Sequence, residues 1–269
     1  MNRNEVEERV RALGWYHSID LGNGVVTPGQ STTPPLIPRQ FPDMRDRTVL
    51  DIGAWDGYYS FLAERCGASQ VVALDHYAWG VDMGRRDEYW AECAARGEFP
   101  DQSRDMVDFW NPDLPGRRGF DLARDVLHSK VEPVVADFMT TDLDSLGTFD
   151  VVLYLGVLYH MTDPLKALER VRRVTREVAL IETEAIDVAG YDGDELVRFV
   201  AGNQLNRDFG NWYLPSMVAL RSLCRAAGFS RVDTVLGPPQ RAGSVVGLVR
   251  RLLARPLITP YRAVVRAVV

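Results

Sequence analysis

The chain has little cysteine, no long apolar run and no excess of basic charge, and each shortage removes a class of function. Cys66, Cys93 and Cys224 are an odd, scattered set in 269 residues, without metal-ligand spacing. That argues against a disulfide framework and for a reducing compartment. No stretch approaches the ~18 apolar residues of a membrane span. The charged opening MNRNEVEERVRALGWYH lacks the apolar centre of a signal peptide, so a cytoplasmic protein without a membrane span is expected. A formal charge of −6 speaks against a protein that coats nucleic acid, because phosphate binding rests on clustered Lys and Arg. Repeats and low-complexity tracts are lacking too. The acidic DGDE at 192–195 reads as a solvated loop, so no metal is expected.

What is present is an alternation of apolar strands with helical segments, enough for one large core or one domain with an appendage. Strands are predicted at TVLDIG (48–53), QVVALD (70–75), VEPVVAD (131–137), FDVVLYLG (149–156) and VALIETE (178–184). Helices are predicted at about 4–14, 58–66, 118–128 and 164–175. Near-continuous Val, Ile and Leu suits a doubly wound, mostly parallel α/β sheet with helices on both faces. Residues 1–45 read as an N-terminal helix followed by a Gly- and Pro-rich lid, and 46–269 as the main domain. Two long insertions, at about 76–117 and 185–214, follow strand ends at the edge where such sheets bind ligands. The first carries a helix in RRDEYWAECAARG. PSMVALRSLCRAAGF is a helix opened at Pro215 or Ser216 and closed at Gly228, and FSRVDTVLG is a strand. The arginine-bearing tail reads as a covering helix (243–255) and a final strand, YRAVVRAVV. The alternative is an amphipathic membrane-contacting helix, which Pro256 and Pro260 disfavour.

The stretch 48–77, TVLDIGAWDGYYSFLAERCGASQVVALDHY, carries the chemistry. Gly53, Ala54, Trp55 and Gly57 form a turn between strand and helix, but a tryptophan stands where a dinucleotide loop has its middle glycine. A bulky group there conflicts with a tightly packed pyrophosphate and suits a cofactor without one, such as S-adenosylmethionine. Asp75, about 20 residues on, is placed to accept both ribose hydroxyls. Asp137 is placed for the adenine amino group, Phe138 (or Met139) for the ring, Asp51 for the ammonium, and His76 for the adenosine pocket.

These residues resemble class I S-adenosylmethionine-dependent methyltransferases. WYHSIDLGNGVVTPG, LGVLYHMTDPLKALERVRRV, ETEAID and NWYLPSMVALRSLCRAAGF narrow the resemblance to the wobble-uridine (mo5U34-type) tRNA methyltransferases. The resemblance implies a seven-stranded Rossmann-like sheet with an antiparallel last strand, S-adenosylmethionine as cofactor, and Gly156 on the cofactor edge. In the tRNA branch a carboxylated cofactor meets a lysine, a tyrosine and an arginine. Tyr58 matches the tyrosine, His17 stands at the lysine and Phe209 at the arginine, with Arg207 two residues away. The departures favour plain methyl transfer.

Methyl transfer needs in-line alignment, and a hydroxyl acceptor also needs a base. His160, just beyond the fourth strand, is the first candidate, with Tyr159 beside it. His17 in the lid is the second. Trp15 and Tyr16 would close over the site; Trp79, Asn203, Arg207, Trp212 and Tyr213 would line an acceptor pocket by stacking and hydrogen bonding. The expected reaction is O-methylation of a small-molecule or saccharide hydroxyl. tRNA wobble-uridine modification and a non-catalytic partner subunit are the alternatives. Oligomeric state, a homo-oligomer included, stays open.

Overall fold

The computed structural model describes residues 1–31, 36–239 and 257–269. In chain order the helices are α1 (Arg3–Arg11), α2 (Leu36–Arg39), α3 (Tyr58–Arg65), α4 (Tyr77–Gly80), α5 (Met83–Arg96), α6 (Arg118–Leu127), α7 (Leu143–Leu146), α8 (Pro164–Val174) and α9 (Met217–Ala226). The strands are β1 (Thr48–Ile52), β2 (Gln70–Asp75), β3 (Glu132–Val135), β4 (Phe149–Leu155), β5 (Thr175–Val188), β6 (Val197–Phe199), β7 (Tyr213–Pro215), β8 (Arg231–Leu236) and β9 (Ile258–Val268). Seven of these strands form one sheet in the order β3-β2-β1-β4-β5-β9-β8. The order reverses at β1 and β4, the place where open α/β sheets take ligands beyond their carboxyl ends.

The predicted elements fall where their side chains demand. Val49, Leu50, Val151, Val152 and Leu153 are wholly buried, as expected of strands covered on both faces. β1, β2 and β3 pair in parallel, from Thr48↔Gln70 and Val72↔Glu132 onward. β9 runs antiparallel to β5 and to β8. α1 opens on a reciprocal Asn2–Glu5 capping box, α8 on Asp163 with Pro164 in its first turn, and α9 on Ser216. The expected helix at 243–255 lies outside the described residues. Among the described residues no helix is long and apolar enough to cross a membrane.

Among the boundaries that differ from expectation, two bear on the candidate site. β5 does not stop at Glu184: Ala185–Val188 continue to pair with Tyr261–Ile258, so the second insertion begins later. It contains a two-stranded ribbon, with Phe199 opposite Tyr213. β3 ends at Val135, so Asp137 stands in the turn beyond it. The chain divides into two compact units, residues 1–142 with 149–153, and 143–148 with 154–269.

Candidate active site

In the first unit the glycine turn is built by the backbone and by three aspartates. Trp55 has φ +46°, a left-handed conformation that costs a non-glycine residue about 1–2 kcal/mol. The backbone therefore does at Trp55 what a glycine would do, and three partners hold it there. Its N–H donates to Asp75 Oδ2 (2.9 Å), its carbonyl accepts from Trp79 Nε1 (2.6 Å), and its indole stacks on Tyr16 at 4.3 Å and 7°. The odd residue in the loop is a platform for the N-terminal segment. Gly57, at φ +84°, has a different reason: a Cβ there would strike the rings of Phe61 and Phe120, so it serves packing.

Asp75 is buried, and its second oxygen accepts the Ala78 N–H at 3.0 Å. Burial pushes its carboxyl up to about 6 against the pull of the Trp55 and Ala78 N–H groups. Asp51, also buried, accepts from Ser60 Oγ at 2.6 Å. Burial raises it too to about 6, opposed by Ser60 and by the nearby His17. Asp137 closes its own turn through Met139 N–H (2.8 Å) and Thr140 Oγ1 (3.0 Å), with Phe138 buried beside it. The His76 ring lies 4.5 Å from that of Trp110, and burial lowers its pKa.

Sequence reasoning passed over Asp56. Only 1% exposed, it accepts the Tyr16 N–H (2.9 Å) and His17 N–H (2.6 Å) on one oxygen and His17 Nδ1 (2.6 Å) on the other. His17 also stacks on Tyr58 at 5.0 Å. The signal was an acid inside a glycine loop. Two aromatics expected at the site lie in the interior. Trp79, expected in an acceptor pocket, is fully buried and braces the loop; Trp15, expected over the site, is buried with its indole N–H on the Val10 carbonyl (2.9 Å). Each aromatic has a local polar partner that sequence spacing does not show.

In the second unit His160 is exposed, and its Nδ1 lies 2.8 Å from the Gly210 carbonyl. A carbonyl only accepts, so Nδ1 carries the proton and Nε2 is the basic nitrogen. The Trp212 N–H donates to the Tyr159 carbonyl at 2.8 Å, which joins the same two loops a second time. Tyr159 is buried, its ring 4.2 Å from that of His160 and 5.3 Å from the Arg262 guanidinium. Its ring backs the histidine.

Arg262 bridges buried Glu182 (2.9 Å) and half-buried Glu184 (3.2 Å), a group that sequence reasoning also missed. Burial raises Glu182 while Arg262 lowers it. Gly156 donates to the Glu182 carbonyl at 3.1 Å. Trp212 and Tyr213 lie beside Phe199, at 6.2 and 5.6 Å between ring centres. Asn203 is half-buried and Arg207 exposed in the adjoining loop, which Asn211 ties through the Leu205 and Asp208 carbonyls.

A family model described as a methyltransferase domain matches residues 30–234. The tRNA U34 carboxymethyltransferase of Idiomarina loihiensis is 27% identical over 193 residues, covering 72% of this chain and 48% of that protein. The same enzyme of Alteromonas mediterranea is 33% identical over 194 residues, covering 71% and 47%. The chain thus spans about half the length of the curated relatives it matches. Among solved structures, the N-terminal domain of EvdMO1, crystallised with SAH and D-fucose, superposes with a TM-score of 0.64 at 19% identity, covering 100% of this chain and 97% of that one.

Proposed function

Since the chain belongs to the methyltransferase-domain family, with S-adenosylmethionine as its cofactor, we propose that it methylates a hydroxyl of a small molecule or saccharide, with His160 as general base. One observation carries the reading. The Gly210 carbonyl fixes His160 as the tautomer whose Nε2 is basic, on an exposed loop beside the aromatic ribbon of Phe199, Trp212 and Tyr213. A histidine so arranged can remove a hydroxyl proton near neutral pH.

The donor set of the first unit fits the cofactor. Its ammonium, ribose hydroxyls and adenine amino group are all hydrogen-bond donors, and Asp51 in β1, Asp75 at the end of β2 and Asp137 in the turn beyond β3 are acceptors. Asp75 already takes the backbone N–H groups of Trp55, Ala78, His76 and Trp79, about the four acceptor positions a carboxylate has, so a diol would share its oxygens with them. Asp51 would hold the ammonium, Asp75 the ribose, and Asp137 with Phe138 the adenine. The cofactor supplies an electrophilic methyl group on a sulfonium. The second unit's part is to bind the acceptor and take its proton on His160 Nε2.

Plain methyl transfer is favoured over carboxymethyl transfer. His17, Tyr58 and the loop share their neighbourhood with three buried aspartates, Asp51, Asp56 and Asp75. A further carboxylate there would meet like charge. The crystallisation of the EvdMO1 domain with D-fucose makes deoxysugars the first acceptors to try. Modification of tRNA is the second reading, supported by the U34 carboxymethyltransferase relatives.

The test offers the protein methyl-labelled S-adenosylmethionine with separate pools of deoxysugars, small hydroxylated molecules and tRNA. Label is expected in a sugar or small-molecule fraction as a single added methyl. Label in tRNA alone would replace this reading with the second. Calorimetry showing no cofactor binding would remove both.

A further inference from the structure

We propose that Asp56 is a positioning residue: its carboxylate latches residues 15–31 onto the cofactor loop and fixes the proton of His17 on Nδ1. The proposal rests on the reading that the 53–57 turn holds the cofactor.

Residues 15–31 have little regular structure, only an isolated bridge between Asp20 and Val26. They are nevertheless knotted around one buried side chain. Thr27 Oγ1 donates to the His17 carbonyl (2.6 Å) and accepts the Ile19 N–H (2.7 Å), while Thr27 N–H donates to the Ile19 carbonyl (3.0 Å). Ser31 N–H returns to the Tyr16 carbonyl at 2.7 Å. Gly29 passes so close to the His17 backbone that a Cβ would collide with it. The segment is therefore a loop closed on itself, with Ile19, Leu21 and Val25 buried.

Its attachment to the glycine turn is concentrated on consecutive residues. Tyr16 stacks on Trp55, His17 stacks on Tyr58, and between them Asp56 takes three N–H groups from Tyr16 and His17. Hydrogen bonds from N–H groups to a carboxylate are short and about twice as strong as neutral ones. The Arg65 guanidinium adds an exposed bond to the Asp20 carbonyl at 2.9 Å. With Nδ1–H committed to Asp56, the basic nitrogen of His17 is Nε2, and the ring lies close enough to Asp51 to bias its carboxyl. Asp56 thus sets both where the segment sits and which way His17 is protonated.

Two substitutions separate these roles. Asp56→Ala removes the latch. Asp56→Asn keeps an oxygen for the two backbone N–H groups but turns an NH2 toward His17 Nδ1, which must then give up its proton and accept. Thr27→Val is the conservative control: it loosens the segment without touching the turn. Calorimetry with S-adenosylmethionine and hydrogen exchange over residues 15–31 are measured on all three and on the parent protein. Binding by the parent tests the cofactor reading; the comparison tests the latch.

Asp56→Ala is expected to weaken binding about tenfold or more, and Thr27→Val about threefold, each with faster exchange over 15–31. Asp56→Asn should bind within about threefold of the parent, while the 15N imidazole signals of His17 report the proton moved to Nε2. Should Asp56→Ala fail to fold, Thr27→Val decides. Faster exchange with binding within about twofold, or unchanged exchange in every folded variant, overturns the latch. A His17 proton that stays on Nδ1 in Asp56→Asn overturns the tautomer role.

Discussion

In the first unit Asp51, Asp56 and Asp75 are 2%, 1% and 5% exposed and tied to backbone or to one another's partners; in the second, Phe199 is 55% exposed and His160 and Arg207 stand in solvent. The first arrangement suits a ligand of fixed structure, because every acceptor is already oriented and desolvated before it arrives. The second suits recognition by stacking on an open face, where ring shape matters more than any one hydrogen bond. One unit is committed and the other adaptable. That is the division expected of a methyltransferase that builds its cofactor site and its acceptor site from different residues.

The sharpest break of this comparison pairs one substitution from each unit. His160→Gln should lower methyl transfer by about 10²–10⁴-fold, with cofactor affinity unchanged within about twofold. Asp75→Asn should do the reverse. It weakens the carboxylate that holds the Trp55 and Ala78 N–H groups, and cofactor affinity should fall about a hundredfold. Rates and calorimetric affinities on the two variants check both. A His160 variant that has lost cofactor, or an Asp75 variant that binds it normally, would show that the units do not divide the work this way.

A smaller effect concerns pH. Asp51 and Asp75 titrate near 6 in the fold, raised by burial above the ordinary value of 3.8. The folded state binds protons more tightly than the unfolded one. Their contribution to stability is therefore full below about pH 4 and lost as pH rises through 6, at about 3 kcal/mol for each ~2-unit shift. A cationic cofactor acts in the opposite direction, because it favours the ionised form. Cofactor affinity should rise between pH 5 and 7 and level off above, and Asp51→Asn should flatten that rise. An affinity independent of pH over this range would remove Asp51 and Asp75 from the cofactor's charge balance.

The two units also differ in how much their sequence disclosed. β1, the turn, α3 and β2 follow one another within 28 residues, from Thr48 to Asp75, so apolar period and glycine spacing reveal them together. Asp56 did not show itself because its partners lie 39 and 40 residues away in an irregular segment. Arg262 and Glu182 are 80 residues apart, and acids inside a buried strand read as its end rather than its interior. At β5 the acid that reads so is Glu184, where VALIETE ends, although the pairing runs on to Val188. The indoles of Trp15 and Trp79 show a further limit: an aromatic in a functional stretch is ligand-facing or core according to which carbonyl its N–H finds, and no periodicity encodes that.

Phe199 gives the finest test of the adaptable unit. It stands on β6 opposite Tyr213, stacked at 19° to Trp212, and more than half of it is exposed with Val197 two residues before it. Burying so little, it contributes little to the fold, and Phe199→Ala should change stability by no more than about 0.5 kcal/mol. If its ring meets the acceptor, removing it should raise the acceptor KM about three- to tenfold, as expected for loss of one stacking contact of ~0.5–1.5 kcal/mol. The maximal rate should hold, because His160 and the Gly210 carbonyl are untouched. The effect should be larger for a sugar with an apolar ring face than for one whose face is fully hydroxylated. Equal KM values in variant and parent would place acceptor recognition elsewhere in the second unit, with Trp212 the next residue to change.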